Sequence, residues 1–422
     1  MSAQYLYLRQ SWVVLFCIIS MLSAQSQPKT GIWLNELLRA KASPLLLSVL
    51  NQPDTFQYQL IYTRIDRDKT NRPRFKSFYL NVDRNRYFNP ASMVKLPTAL
   101  LALEKLNEQP IDGVDKYTTM LTDSSFERQT KVLNDTSAAD GLPSIAHYIR
   151  KIFLVSDNDA YNRLYEFAGQ ETLNKKLWKK GYQDSRITRR FVTMTEEQNR
   201  HTNRIRFIKN GKLVNEQPAA YNQLPFDFSK KIFIGKAHFN RDDSLIHTPM
   251  DFTTHNNMPL QDLQQMLQSV LFPGSVKKKQ RFNLTDDDRK FLYQYMSELP
   301  SESRHPKYDT TEFFDSYTKF FLFKADKSKI PSYIRVFNKT GWSYGFLTDV
   351  AYIVDFKNKV EFMLSGVIYV NSDGVLNDDK YEYKQTGYPF FKEVGNIIYE
   401  YELNRFRKYK PNLEKFQLDY TE

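Results

Sequence analysis

A serine and a lysine three residues apart, Ser92 and Lys95, stand in the run Asn89-Pro90-Ala91-Ser92-Met93-Val94-Lys95-Leu96-Pro97, which continues as an apolar, helix-forming pattern to Leu106. Asn89-Pro90 signals a turn and then a helix start, because proline is tolerated where the first helical amides have no intrahelical acceptor. Positions i and i+3 share one helix face, so the two side chains can meet. A serine hydroxyl is a poor nucleophile until a neighbour takes its proton, and a lysine desolvated in a pocket can be that neighbour. Ser92 is therefore the candidate nucleophile and Lys95 its candidate base. The spacing alone does not select them, since it recurs at Ser26/Lys29, Ser275/Lys278 and Ser316/Lys319. The long apolar helix that follows sets the Ser92 match apart.

Two further motifs follow in order. Ser156-Asp157-Asn158 ends one apolar helix pattern (Ile145, Ile149, Ile152, Phe153) and opens another, so its plain reading is a helix cap. Lys339-Thr340-Gly341 ends the apolar strand pattern Tyr333 to Phe337, where it can form one wall of a pocket. The same tripeptide at Lys29-Thr30-Gly31 leads into a helix instead.

Ser-x-x-Lys, Ser-Asp-Asn and Lys-Thr-Gly in this order resemble the motif set of class A serine β-lactamases and their penicillin-binding relatives. The stretch Ser156 to Gly169 looks like the corresponding helix pair, and Gly345 and Asp349 fall where that family carries them. The resemblance covers about 33–190 and 330–405 and leaves the middle uncovered. It implies an α/β fold of the α+β type, an antiparallel sheet flanked by helices plus a helical lobe. It also implies an acyl-enzyme on Ser92, with Lys95 taking or relaying the proton and Ser156 passing it to the leaving nitrogen. Asn158 would hold Lys95 and the substrate amide. Lys339 and Thr340 would meet a substrate carboxylate, and the backbone amides of Ser92 and Trp342, just after Gly341, would form the oxyanion hole. The implied partner is a small anionic amide, either a β-lactam or a peptidoglycan stem peptide. The leading expectation is an exported β-lactam hydrolase. The alternatives are a D-alanyl-D-alanine carboxypeptidase or slow-turnover penicillin-binding protein, and a non-catalytic peptidoglycan-binding protein.

Two departures accompany the resemblance. The family carries a water-activating glutamate on a loop after a Thr-Arg pair. Here Thr188-Arg189 is followed by Met194 at that offset, with Glu196 and Glu197 as the nearest candidates. Trp342 is also bulky for a residue beside an oxyanion hole and is expected to narrow the pocket.

The elements that must position these residues are legible at both ends of the chain. Helical periodicity runs from Trp33 to Leu50, broken by Pro44, and strands are expected at Phe56–Ile65, Phe75–Val82, Phe346–Asp355 and Val360–Val370. Helices are expected at 260–271, 286–299 and about 388–405, and an Asn210-Gly211 hairpin near 205–214. Residues 108–142 read as irregular, and 182–330 is the least decipherable stretch.

Residues 1–26 read as an export signal: Arg9 is its one charge, Trp12 to Leu22 is apolar, and Ala24-Gln25-Ser26 offers a cleavage site. The run is short for a membrane span, so no stable span is expected after cleavage, and the protein is placed in the periplasm, the cell envelope or outside the cell. Residues 27–422 are expected to form one domain of two lobes, enlarged at about 200–330, and to act as a monomer. The one cysteine, Cys17, lies in the leader, so disulfides are not expected to hold the fold. The net charge of +12 is spread along the chain without a nucleic-acid motif, which argues for a solvated basic surface and no nucleic-acid partner. Four histidines (His201, His238, His247, His255) lack helical metal-ligand spacing, so neither a metal nor a cofactor is expected.

Overall fold

The structure, a computed structural model, describes residues 31–420; the expected export signal and Cys17 lie outside them. Two strands near the N-terminus and three near the C-terminus build one antiparallel sheet. They are β1 (Gln59–Arg67), β2 (Pro73–Leu80), β3 (Ile334–Ser343), β4 (Phe346–Asp355) and β5 (Val360–Tyr369), in the order β3-β4-β5-β1-β2. The central strands β4 and β5 are buried along their whole length, so both faces of the sheet are covered. One face packs on α1 (Ile32–Lys41), α2 (Pro44–Leu50) and the C-terminal α9 (Tyr388–Asn404) through Leu38, Tyr62, Phe321, Phe362 and Phe391. The other face packs on a helical layer of α3 (Lys95–Glu108), α4 (Ile145–Leu154), α5 (Asn158–Ala168), α6 (Gln170–Lys180), α7 (Leu260–Leu271) and α8 (Asp286–Ser297). The fold is α+β, as the motif resemblance implies.

Pro44 divides the expected 33–50 helix into α1 and α2, and the Ser43 hydroxyl accepts the Leu46 amide to start the second. Phe56 falls in a helical turn (Pro53–Phe56) instead of in β1, because Pro53 at the first helical position favours that turn over extension. The hairpin Ile205–Lys209/Lys212–Gln217 matches its Asn-Gly signal, and Thr119–Thr122 joins it as a third strand inside the stretch read as irregular. Residues 220–251 form four two-residue strands and one of three residues, too short to leave a periodic trace. Among the described residues, no helix is long and apolar enough to cross a membrane.

The α9 layer is tightly aromatic. Phe391 is fully buried, with ring centroids 5.6, 5.0 and 5.6 Å from those of Phe320, Phe321 and Phe390. Truncating it to alanine (Phe391→Ala) is expected to lower stability by about 3–5 kcal/mol, read as a lower urea midpoint with an unchanged slope. A change under about 1 kcal/mol would mean that α9 is not part of the cooperative fold.

Candidate active site

The turn that carries Ser92 is tighter than an α-helix. Ala91–Val94 form a 3₁₀ turn that passes directly into α3 at Lys95. In that geometry side chains at i and i+3 eclipse, which brings Ser92 and Lys95 onto one line. Asn89 Oδ1 accepts the Ala91 amide at 2.8 Å, and Ala91 adopts a left-handed φ of 44°. A non-glycine residue in that region is strained, and the strain is sustained here by burial of Ala91, Met93 and Val94. Ser92 itself is half-buried, and among the described residues its hydroxyl takes no hydrogen bond.

Lys95 is completely buried. Its Nζ donates to the Ser156 carbonyl, to Asn158 Oδ1 at 2.7 Å and to Ser156 Oγ at 3.3 Å, and it lies 5.1 Å from the centre of the Phe191 ring. All of these partners are neutral. Burial drives its pKa well below the ordinary lysine range, the nearby Lys339 charge adds to the drop, and Asp157 opposes it.

The Ser-Asp-Asn segment does two jobs at once. Asp157 is the cap of α5, its Oδ1 accepting the Ala160 amide at 2.8 Å. Ser156, with φ 62°, turns the chain so that it and Asn158 both face Lys95. The capping reading and the site reading thus belong to neighbouring residues.

Lys339 reaches the same hydroxyl from the sheet. Its Nζ donates to Ser156 Oγ at 2.9 Å and to the Thr340 carbonyl at 2.6 Å, and burial brings its pKa down to about 7, with Asp349 opposing and Lys319 assisting. Thr340 Oγ1 is buried with no hydrogen-bond partner, an acceptor or donor left for something else. Gly341 is required by contact: a Cβ there would lie 2.6 Å from the Pro90 carbonyl oxygen and 3.1 Å from the Met93 amide nitrogen. Strand β3 is the free edge of the sheet, and this contact presses it against the Ser92 turn. The Trp342 ring does not narrow the pocket as expected. It packs instead on Tyr317 and Phe320, both at 5.8 Å. Only its backbone stays beside the turn.

The loop after Thr188-Arg189 is fixed by buried polar groups. Asn162 Oδ1 accepts the Phe191 amide and Asn199 Oδ1 the Arg190 amide, both at 2.8 Å, while Arg190 Nε donates to the buried Glu166 at 3.1 Å. This pinning delivers Phe191 to Lys95. Met194 is buried. Glu196 and Glu197 are not brought to Ser92. Both are exposed in the first turn of Glu196–Arg200, a place that favours acids near a helix N-terminus, and Glu197 meets His201 and Tyr221 instead, both at 3.3 Å.

Sequence reasoning passed over the support behind β3. Lys319, one of the recurrent Ser-x-x-Lys matches, is buried and donates to Met296 O, Val336 O and Asn338 Oδ1 at 2.8, 3.0 and 2.8 Å. Asn338 in turn donates to Asp349 at 2.9 Å. Phe191 was also missed, and nothing in its sequence surroundings marks it.

Adding the Cβ that Gly341 lacks tests the strand-to-turn contact. The variant Gly341→Ala is expected to slow covalent labelling of Ser92 at least about tenfold, since a displacement of about 1 Å in such a geometry can cost a hundredfold. The thermal midpoint should move by only a few degrees, and an unchanged labelling rate would show that the contact does not position the serine.

Residues 67–213 match the family model described as the Beta-lactamase enzyme family. That stretch holds Ser92, Lys95, Ser156 and Asn158. Among solved structures the chain is similar to a β-lactamase from Xanthomonas campestris pv. campestris (13% identity, TM-score 0.49, 87% of this chain and 98% of that one covered). It is also similar to a class A β-lactamase from Mycobacterium abscessus (13%, 0.46, 88% and 98%) and to PBP-A (12%, 0.47, 87% and 95%). No curated protein matches the chain.

Proposed function

We propose that this β-lactamase-like serine hydrolase opens the amide of a β-lactam or of a D-alanyl peptide by forming an ester on Ser92. The observation that carries the reading is the pair of buried amines converging on Ser156, one from the helical layer and one from the sheet. Lys95, its pKa lowered by burial and by the Lys339 charge, takes the proton as Ser92 Oγ bonds to the carbonyl carbon. The Ser92 and Trp342 amides are the donors for the oxyanion. Ser156 passes a proton to the nitrogen as the C–N bond breaks, which leaves the acyl ester. Asn158 holds Lys95 in place, and Lys339 with the unpartnered Thr340 hydroxyl receives the substrate carboxylate. Water then cleaves the ester and restores Ser92. The small-molecule amide, the envelope location and monomeric action belong to this proposal.

Among the described residues, no carboxylate hydrogen-bonds to Ser92, Lys95, Ser156 or Lys339. This favours slow deacylation, the behaviour of a penicillin-binding or D-alanyl peptidase protein, over rapid β-lactam hydrolysis. A purely binding role gains nothing from two amines held desolvated beside a hydroxyl.

A fluorescent penicillin is expected to label the protein, and Ser92→Ala to abolish labelling with the fold intact. Nitrocefin should give a burst of about one equivalent followed by slow turnover. The variants Glu196→Gln and Glu197→Gln should leave both phases within about twofold, whereas loss of a general base costs about a hundred- to ten-thousandfold. A steady phase abolished by either substitution would place that glutamate at the ester.

Lys339 gives the reaction a pH signature. Its charged form exists below its pKa of about 7, so acylation by an anionic β-lactam should fall as pH rises through 7, while a neutral ester loses nothing on that limb. The variant Lys339→Ala should lose about ten- to a hundredfold on the anionic substrate alone. Equal losses on both substrates would make Lys339 structural.

A further inference from the structure

Strand β2 is the other edge of the sheet, and it and the turn before it are strongly basic on the outside. Lys69, Arg72 and Lys76 are exposed and have no carboxylate partner among the described residues. The acids of this region are already engaged: Asp66 with Arg64 and Arg405, and Asp68 with Arg74.

The segment after α9 lies against the same corner. Arg405 reaches Asp66 at 2.6 Å and the Ile65 carbonyl at 2.9 Å, and Asn71 Nδ2 donates to the Lys410 carbonyl at 3.1 Å. Residues 403–412 contain no acid, and Lys408 and Lys410 are exposed without carboxylate partners among the described residues. From their midst Phe406 projects into solvent, 89% exposed, the most exposed of the large hydrophobic residues among those described.

The chain enters the fold at this edge as well. The Gly31 amide donates to the Tyr79 carbonyl of β2, and the apolar stretch Trp12–Leu22 ends only nine residues earlier in sequence. Next to Gly31, Ile32 is 73% exposed, and Trp33 packs on Phe78 and Tyr401 at 4.7 and 5.0 Å, joining β2 to the end of α9.

We propose that the face made by the outer edge of β2 and the segment 403–410 docks on an anionic phospholipid bilayer, with Phe406 entering the headgroup layer. Free cations supply the attraction to negative lipid, and an aromatic ring that folding leaves in water gains by burial at the interface. The partner is a lipid surface because the cations are dispersed around an apolar projection instead of gathered into a pocket. The inference does not depend on the acylation chemistry.

The test uses the full chain with Cys17→Ser and Phe406→Cys, labelled at position 406 with an environment-sensitive fluorophore. A Cys17→Ser, Leu213→Cys chain, labelled on the remote hairpin where Leu213 is 55% exposed, serves as the control. On vesicles of phosphatidylcholine with phosphatidylglycerol, the label at 406 should brighten and shift to the blue, and the control label should not. Phosphatidylcholine alone should give little response, and Lys76→Glu with Lys408→Glu should weaken the response at least about tenfold. An unchanged thermal unfolding midpoint in these variants will show that they are folded. The proposal is overturned by no response at 406, by equal response to neutral and anionic vesicles, by equal response of the two labels, or by indifference to charge reversal.

Discussion

Two lysine amines taken out of water beside one serine hydroxyl are the constraint on which the site depends. Among the described residues neither Lys95 nor Lys339 has a carboxylate in hydrogen-bond reach, and each is held by neutral oxygens. A carboxylate next to Lys95 would restore its proton and remove its capacity as a base. The neutral surroundings, Ser156, Asn158 and the Phe191 ring, therefore serve the first chemical step. The same neutrality leaves the second step without an obvious base for water, so both halves of the proposed reaction, acylation and slow release, trace to one arrangement of charge.

Holding that arrangement takes the whole fold. Lys95 comes from the helical layer, Ser156 from a left-handed junction between two helices, and Lys339 from an edge strand that touches the nucleophile's turn at Gly341. The edge strand is braced from behind by Lys319, Asn338 and Asp349, and burial holds the Asp349 carboxyl at a pKa of about 7 and Lys319 also at about 7. The loop carrying Phe191 is braced by Arg190 and Glu166. Each brace uses a buried polar group whose loss would leave its partner unsatisfied, which makes it costly to remove and specific in geometry.

Much of this was legible in the sequence where chemistry and periodicity coincide. Ser92, Lys95 and the Ser156 and Lys339 motifs combine distinctive residue types with a helix start, a helix junction and a strand end, and the sheet strands are continuous β-formers. Glu196 and Glu197 were poor guides because an acid near a helix start has an ordinary structural use that spacing cannot distinguish from catalysis. Trp342 misled in the other direction, since its bulk is taken up by Tyr317 and Phe320, far from it in sequence. Phe191 was illegible because its position depends on amide groups at Asn162 and Asn199, a tertiary effect with no local trace. The short strands of 220–251 were lost for want of length.

The left-handed turn at Ser156 joins helices whose neighbours in space lie far along the chain: Lys95 upstream and Lys339 nearly half the protein downstream. No local segment contains a reactive serine. Contacts of such long sequence separation form late, because loop closure must come before they are rewarded. The proposed nucleophile thus gains its full set of neighbours only when the last strands join the sheet. The surroundings of Ser92 are a property of the finished topology, absent from any partial chain that lacks the last strands.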